Sequence, residues 1–156
     1  MAIFHGRYPS KNSDGVDVPS LGLKERGPIV KVSVGPTQKM VSELTKAGLK
    51  VPATRNGLAM IDTGSVFTCI DESVARELGF IPLDVTNVAS ASHASHQVNI
   101  YVVNIEFVGF GVKLDTLRTV GASLKHHDLI ALIGRDFLSH CTFFYNGPMG
   151  EITISI

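Results

Sequence analysis

Residues 59–66 read Ala-Met-Ile-Asp-Thr-Gly-Ser-Val, an apolar run that ends directly at an ionisable side chain. The run predicts a strand, and Asp62 follows at the point where this strand leaves the core. A carboxylate in that position has to be hydrogen-bonded or functional, because burying an unpartnered charge is costly. Gly64 permits a sharp turn that aims backbone N–H groups at the carboxylate. On these residues alone, a strand-end Asx-turn explains the segment as well as a catalytic site does.

A second motif further along the chain changes that balance. Residues 131–138 read Ala-Leu-Ile-Gly-Arg-Asp-Phe-Leu, an apolar strand that ends at Gly134 and is followed by a predicted short helix over 135–140. The content, order and spacing of the two motifs resemble those of the retropepsin-like aspartic proteases. The resemblance covers residue 59 to the C-terminus. It implies that the second strand passes behind the Asp-Thr-Gly loop and locks it in a ψ-shaped arrangement.

The resemblance also implies roles for individual residues. Asp62 is expected to be the catalytic carboxylate, and Thr63 to hydrogen-bond to its counterpart in a second chain. Side chains and backbone around Asp62 are expected to support the active-site loop, namely those of Thr63, Gly64, Ser65, Ile133, Gly134, Arg135 and Asp136.

The number of motifs predicts the assembly. Aspartic protease chemistry needs two carboxylates that share a proton and flank a water molecule. The 156 residues contain one Asp-Thr-Gly, so two chains have to supply one site, with the two Asp62 side chains meeting at a two-fold axis. Retropepsin-like chains interleave their termini in a shared sheet. The alternation of apolar and polar residues over 151–156 is consistent with such a strand.

A hairpin that closes over the substrate is the third part that the resemblance implies. The candidate is the stretch Val88–Gln97, read as a loop between two strands. Unlike the Gly-rich tip of the viral enzymes, it contains no glycine. The substrate-binding residues predicted for this flap are Ala89, Ser90, Ala91, Ser92 and His93.

The chain departs from the viral pattern directly after the triad. Val66, Phe67 and Thr68 stand where viral relatives often place acidic residues that contact the substrate backbone and an arginine of the partner. Arg135 therefore needs another acceptor, and the candidates are Asp136, Asp71 and the partner chain. A purely structural charge at a helix start is the alternative interpretation of Arg135.

The remaining pattern predicts a mainly β protein with short helices and closed edges. The resemblance implies that it closes into an acid-protease barrel, with one lobe per chain of a two-fold homodimer. Residues 1–26, with scattered Gly and Pro among polar residues, predict an irregular N-terminal arm, and 27–156 the protease domain. Helices are expected over 37–48 and after Asp71. Asn56-Gly57 is interpreted as a turn.

Composition excludes several classes of protein. Lys plus Arg and Asp plus Glu are both 14, so the basic excess of a nucleic-acid-binding protein is missing. No apolar run reaches the ~18–20 residues of a membrane span. The N-terminal residues lack the apolar region of a signal peptide, so we expect a cytoplasmic protein without membrane contact.

Cofactors and metals are not expected. The two cysteines have no ligand spacing to each other, and we interpret both as reduced thiols. His93 and His96 form an H-x-x-H pair, and His126-His127 follow. Without a nearby Glu or Cys, solvent-facing loop histidines are favoured over a metal site.

The leading hypothesis is thus a homodimeric aspartic endopeptidase that cleaves polypeptides beside apolar side chains. The alternative is a protease-like dimeric module that binds peptide without cutting it, since Asp62 could be retained while the dimer geometry fails. A third hypothesis is a subunit that completes a site only beside a different chain.

Overall fold

A computed structural model describes residues 1–90 and 93–156. The strands are β1 (Ile3–Arg7), β2 (Ile29–Gly35), β3 (Arg55–Ile61), β4 (Cys69–Asp71), β5 (Asp84–Ser90), β6 (His93–Phe107), β7 (Val112–Ala122), β8 (Ala131–Ile133), β9 (Thr142–Asn146) and β10 (Glu151–Ser155). The helices are α1 (Pro19–Arg26), α2 (Gln38–Lys46), α3 (Glu72–Glu77), α4 (Arg135–Leu138) and a 3-10 turn (Lys125–His127).

Six strands close into a barrel. Their hydrogen-bonded order is β2-β3-β8-β4-β7-β6, and β6 pairs back onto β2, while β5 extends the sheet beyond β6. The β2–β6 contact joins Val32 to Phe107 and Gly35 to Asn104. Closure pairs the edges that an open sheet would expose. The predicted mainly β, closed barrel with short helices is confirmed, and the two-fold homodimer remains a prediction.

Alternating side chains fill the barrel. In β2, Val30, Val32 and Val34 are buried whereas Lys31 is exposed, which is the period-two pattern expected of a strand with one face on the core. The other strands contribute apolar residues of the same kind. The members of the core with no measurable exposure include Val32, Val34, Ala59, Ile70, Val103, Ile105, Ala131, Ile133, Ile152 and Ile154.

A separate three-stranded sheet joins the two ends of the chain in the order β1-β10-β9. Ile3 pairs with Ser155 and Arg7 with Glu151. The helix α1 packs nearby and buries Leu23, which is 1% exposed. The irregular arm predicted for residues 1–26 is therefore wrong. Its strand depends on a partner at the other end of the chain, and no local pattern could show that pairing.

A second correction concerns Asn56 and Gly57, which lie inside β3 and not in a turn. A Cβ atom on Gly57 would lie 2.8 Å from atoms of the Ile130 side chain. The glycine thus makes room for a close packing contact rather than reversing the chain.

The two longer helical predictions are confirmed, and each helix begins with a side-chain cap. The Thr37 hydroxyl accepts a hydrogen bond from the Met40 N–H at 3.1 Å. The Asp71 carboxylate accepts one from the Ser73 N–H at 2.9 Å. Both caps satisfy N–H groups that the first helical turn leaves unpaired.

Within the described residues, no helix combines the length and the apolar character needed to cross a membrane.

Candidate active site

Asp62 lies where three strands meet. The strand β8 runs between β3, to which it is parallel, and β4, to which it is antiparallel. Asp62 follows β3 directly, and its backbone N–H donates to the Ile133 carbonyl at 2.9 Å. This is the ψ-shaped arrangement that the two sequence motifs implied. It fixes the backbone at Asp62 through a strand that belongs to the second motif.

The loop after Asp62 folds back on the carboxylate. The Gly64 N–H donates to Asp62 Oδ1 at 2.9 Å, and the Ser65 N–H donates to the Asp62 carbonyl at 3.3 Å. The Asx-turn considered from sequence is therefore present. Within the described residues, Oδ2 of Asp62 accepts no hydrogen bond and the side chain is only half-buried. The turn orients the carboxylate and leaves one oxygen available for chemistry.

Asp136 holds the far side of the loop. Its Oδ2 accepts from the Thr68 N–H at 2.8 Å, and its Oδ1 accepts from the Thr68 hydroxyl at 2.7 Å. The same Thr68 oxygen accepts from the Gly134 N–H at 3.1 Å. Thr68 has no measurable exposure, so these bonds lie out of competition with water. They tie the end of the Asp62 loop to the start of α4.

Gly134 is the point of closest approach between the two motifs. A Cβ atom on it would lie 2.5 Å from the Phe67 carbonyl carbon and 2.9 Å from the Thr68 nitrogen. Contacts under 3.0 Å to backbone atoms leave no room for a side chain. Next to it, the Arg135 N–H donates to the Ser65 carbonyl at 3.0 Å and the Asp136 N–H to the Val66 carbonyl at 3.1 Å. Only glycine lets the helix start lie flat against the loop.

The Arg135 guanidinium does not bind either intrachain acceptor that the sequence suggested. The Asp136 carboxylate accepts from Thr68, and the Asp71 carboxylate accepts from Ser73 and Leu124. Arg135 is exposed and makes no ion pair within the described part of the chain. Asp136 and Asp71 were therefore wrong as its acceptors, and the partner chain remains a prediction.

A cleft separates the Asp62 loop from the β5–β6 hairpin. Its cavity of about 300 Å³ is lined by residues of the loop, of β5 and of the barrel wall, namely Gly64, Ser65, Val66, Phe67, Cys69, Asn87, Val88, Ala89 and Val120. The connection between β5 and β6 is shorter than the predicted loop. The two strands still pair within the predicted loop, where Val88 lies opposite His96 and Ser90 lies opposite His93. Ala91 and Ser92 of the predicted flap lie outside the described residues. Ala89 faces the same cavity as the loop that follows Asp62.

The cysteine in this cleft is not an activated nucleophile. Burial raises the pKa of the Cys69 thiol, and the carboxylates of Asp136 and Asp62 raise it further against an opposing hydrogen bond with Ser65. A raised pKa keeps the thiol protonated at neutral pH, whereas nucleophilic cysteines have lowered values. Cys69 and Cys141 are both free and partly buried.

Metal binding finds no support among the described residues, where no three His, Cys, Asp or Glu side chains are grouped as ligands. His96 lies on the strand β6 and His126 in the 3-10 turn, so neither lies in a loop as predicted.

Sequence reasoning missed the residue that joins the two motifs. Asp136 was predicted to support the loop, whereas its partner Thr68 was noted only as a departure from the viral pattern, because a threonine after the apolar pair Val66-Phe67 carries no distinguishing pattern. The available signal was its position directly before the strand β4, which flanks β8. Arg118, which lines a neighbouring cavity, was missed for the same reason: it is one charge on a long strand.

A family model described as "gag-polyprotein putative aspartyl protease" matches residues 53–140. No curated protein matches the sequence. Among solved structures, the crystal structure of a retropepsin-like aspartic protease from Rickettsia conorii matches with a TM-score of 0.51 and 13% identity, covering 97% of this chain and 90% of that chain. At this identity the structural likeness is one of fold alone.

Proposed function

The chain belongs to the gag-polyprotein aspartyl protease family, and on this premise we propose that it is an aspartic endopeptidase that works as a homodimer. One observation carries the proposal: the Asp62 carboxylate is oriented by the Gly64 N–H while its second oxygen accepts no hydrogen bond within the described residues. Such a group is positioned to exchange protons with a water molecule and a peptide carbonyl.

The second carboxylate comes, in this proposal, from Asp62 of an identical subunit. The exposure of the loop supports the proposal that a second subunit covers it. Thr63 is exposed, and the apolar side chains of Val66 and Phe67 are 52% and 55% exposed. Their burial against a second copy would remove apolar surface from water. The Thr63 hydroxyl makes no hydrogen bond within the described chain, which leaves it available to its counterpart across the two-fold axis.

The proposed reaction conserves protons at each step. Two carboxylates that lie close together hold one proton between them, because both cannot be ionised at once. The ionised carboxylate accepts a proton from water as the oxygen attacks the peptide carbonyl carbon, and the protonated one donates to the carbonyl oxygen. In the second step the carboxyl that was protonated in the first step donates its proton to the amide nitrogen, the other carboxylate removes a proton from a hydroxyl of the tetrahedral intermediate, and the C–N bond breaks as the carbonyl re-forms. The pair returns to its starting state.

The β5–β6 hairpin is the proposed flap. It faces the Asp62 loop across the cleft, so substrate bound between them would be shielded from water. Ala89 lines the cavity, and Ser90, Ala91, Ser92 and His93 are proposed to complete the substrate contacts. The cavity walls are mainly apolar, which supports a preference for apolar side chains next to the cleaved bond.

The test is a cleavage assay on purified protein with a denatured protein mixture, over about pH 3 to 7, the range in which a shared carboxyl proton is retained. A transition-state mimic of aspartic proteases is added to half of the reactions, and D62N protein is the matched control. We expect cleavage by the wild type alone, blocked by the mimic. Peptide binding without cleavage would favour the non-cutting module, and cleavage sensitive to a chelator would contradict the proposal.

Dilution tests the assembly. Activity per chain is expected to fall on dilution, together with the dimer fraction in analytical ultracentrifugation. A monomer with the same activity per chain at every concentration would contradict the shared site.

A further inference from the structure

Two cavities meet at the active-site loop. The first is the cleft described above. The second, also about 300 Å³, is lined by Phe67, Thr86, Ile100, Arg118, Thr119 and Val120. Phe67 and Val120 contribute to both cavities, so the two are adjacent and share a wall. A polypeptide chain lying beside Asp62 could therefore place side chains in both.

The second cavity has mainly apolar walls, two threonines (Thr86 and Thr119) and one charged side chain. Phe67, Ile100 and Val120 supply its apolar wall. The Thr119 hydroxyl is fully buried and donates to the Tyr101 carbonyl at 3.4 Å, so it is occupied within the protein. Arg118 is the one charged side chain that lines either cavity among the described residues.

The Arg118 guanidinium has no acceptor within the described part of the chain. Some other cations of the protein do have one: Arg7 pairs with Glu151 at 3.8 Å and Lys113 with Glu106 at 2.9 Å. Arg118 is exposed and lies opposite Val102 in the neighbouring strand, so the sheet offers it no carboxylate there. All its hydrogen-bond donors face solvent or the cavity.

We propose that Arg118 determines part of the substrate specificity by binding an acidic side chain of the polypeptide in this second cavity. The proposal rests on the endopeptidase function and goes beyond it by naming the chemistry of one subsite. A guanidinium binds a carboxylate through two parallel N–H···O bonds, and the apolar wall can contact the methylene groups that carry it. A cavity of this size is in the range that small ligand groups occupy.

The experiment compares peptides that differ by one charge. A peptide cleaved by the wild type is resynthesised with Glu or Gln at each position in turn, and kcat/KM is measured at low and high salt. We expect Glu to be favoured over Gln at one position by about fivefold, the upper range for an ion pair that solvent reaches. The preference should shrink at high salt because ions screen the pair.

Variants of Arg118 assign this preference to one side chain. R118Q should abolish it, R118K should retain most of it, and R118E should favour Lys over Glu at the same position. K50Q is the matched control, since Lys50 is exposed, makes no ion pair and lines neither cavity. It removes the same net charge and should leave the preference unchanged. Thermal unfolding of each variant checks the fold.

A binding measurement separates this proposal from the proposed function. Fluorescence polarisation of the labelled Glu and Gln peptides is recorded with D62N protein, in which cleavage is removed but the cavity is kept. Tighter binding of the Glu peptide that is lost in D62N/R118Q supports the subsite even if the wild type cleaves nothing. Cleavage with an equal Glu preference in wild type and R118Q would overturn the subsite while leaving the protease intact.

Discussion

The loop around Asp62 and the sheet that joins the chain ends are both built from segments far apart in sequence, but different interactions hold them. In the loop, individual side-chain atoms of Thr68 and Asp136 satisfy backbone groups. The terminal sheet is held by backbone pairing and by the buried side chains of Ile152 and Ile154. Its ion pair between Arg7 and Glu151 is solvent-exposed and therefore contributes little. The conformation of the loop therefore depends on particular side-chain atoms, whereas that of the terminal sheet depends on backbone pairing and on the burial of alternate apolar residues.

The largest effect is expected at Asp62. D62N keeps the size of the side chain and its acceptor for the Gly64 N–H, so the fold should be unchanged. Without a carboxylate, proton transfer fails, and we expect a loss of about 10²–10⁴-fold in kcat, the usual contribution of general acid–base catalysis. Steady-state kinetics and circular dichroism measure the two effects. Residual activity near the wild-type level would remove Asp62 from the mechanism.

Two glycine substitutions, one beside the Asp62 loop and one in the terminal sheet, compare how much each region tolerates an added side chain. G134A places a methyl group 2.5 Å from backbone of Phe67, and overpacking of this kind costs about 1–3 kcal/mol in unfolding free energy. Activity should fall as well, because the loop has to move. G147A, in the turn between β9 and β10, meets only a Tyr145 ring atom at 3.4 Å and should be nearly neutral. Urea denaturation measures both, and equal losses would contradict the distinction between loop and terminal sheet.

Two threonine substitutions sharpen the same distinction. T68V removes a buried hydroxyl that donates to Asp136 and leaves the Gly134 N–H without its acceptor, at a cost of about 1–3 kcal/mol. T153V removes an exposed hydrogen bond to His5, and surface changes of this kind stay within about 0.5 kcal/mol. Chemical denaturation compares them. If T153V costs as much as T68V, side-chain atoms matter equally in the two regions.

The smallest effect concerns acid stability. Burial alone would raise the pKa of Asp71, but hydrogen bonds from Ser73, Leu124 and Val74 outweigh it, so the pKa lies below the ordinary value of 3.8. The carboxylate then stabilises the fold at pH values above 3.8, and this contribution is lost as pH falls through the lower folded value. Unfolding free energies measured against pH should show this loss in the wild type. In D71N the unfolding free energy should fall less steeply as the pH is lowered. An equally steep fall in D71N and in the wild type would contradict the assignment to Asp71.

The sequence determined the loop around Asp62 because its requirements are local. An apolar strand that ends at a carboxylate, with Gly64 two residues later and a Gly-Arg-Asp helix start downstream, can be recognised without knowing the fold. The strand β8 and the caps Thr37 and Asp71 followed from patterns of the same kind. The role of Thr68 and the role proposed for Arg118 could not be predicted, because each depends on which residues the folded chain places beside it.

Tertiary structure alone decided the conformation of the two chain ends and of Gly57. Ile3–Arg7 is too short and too polar to form a strand by itself, and it becomes one because β10 offers a row of unpaired backbone groups. Asn56-Gly57 has the local signature of a turn, yet antiparallel pairing with β2 holds it in an extended strand. Local propensities amount to tenths of a kcal/mol per residue and are outweighed by the backbone pairing and apolar burial that only the folded chain supplies.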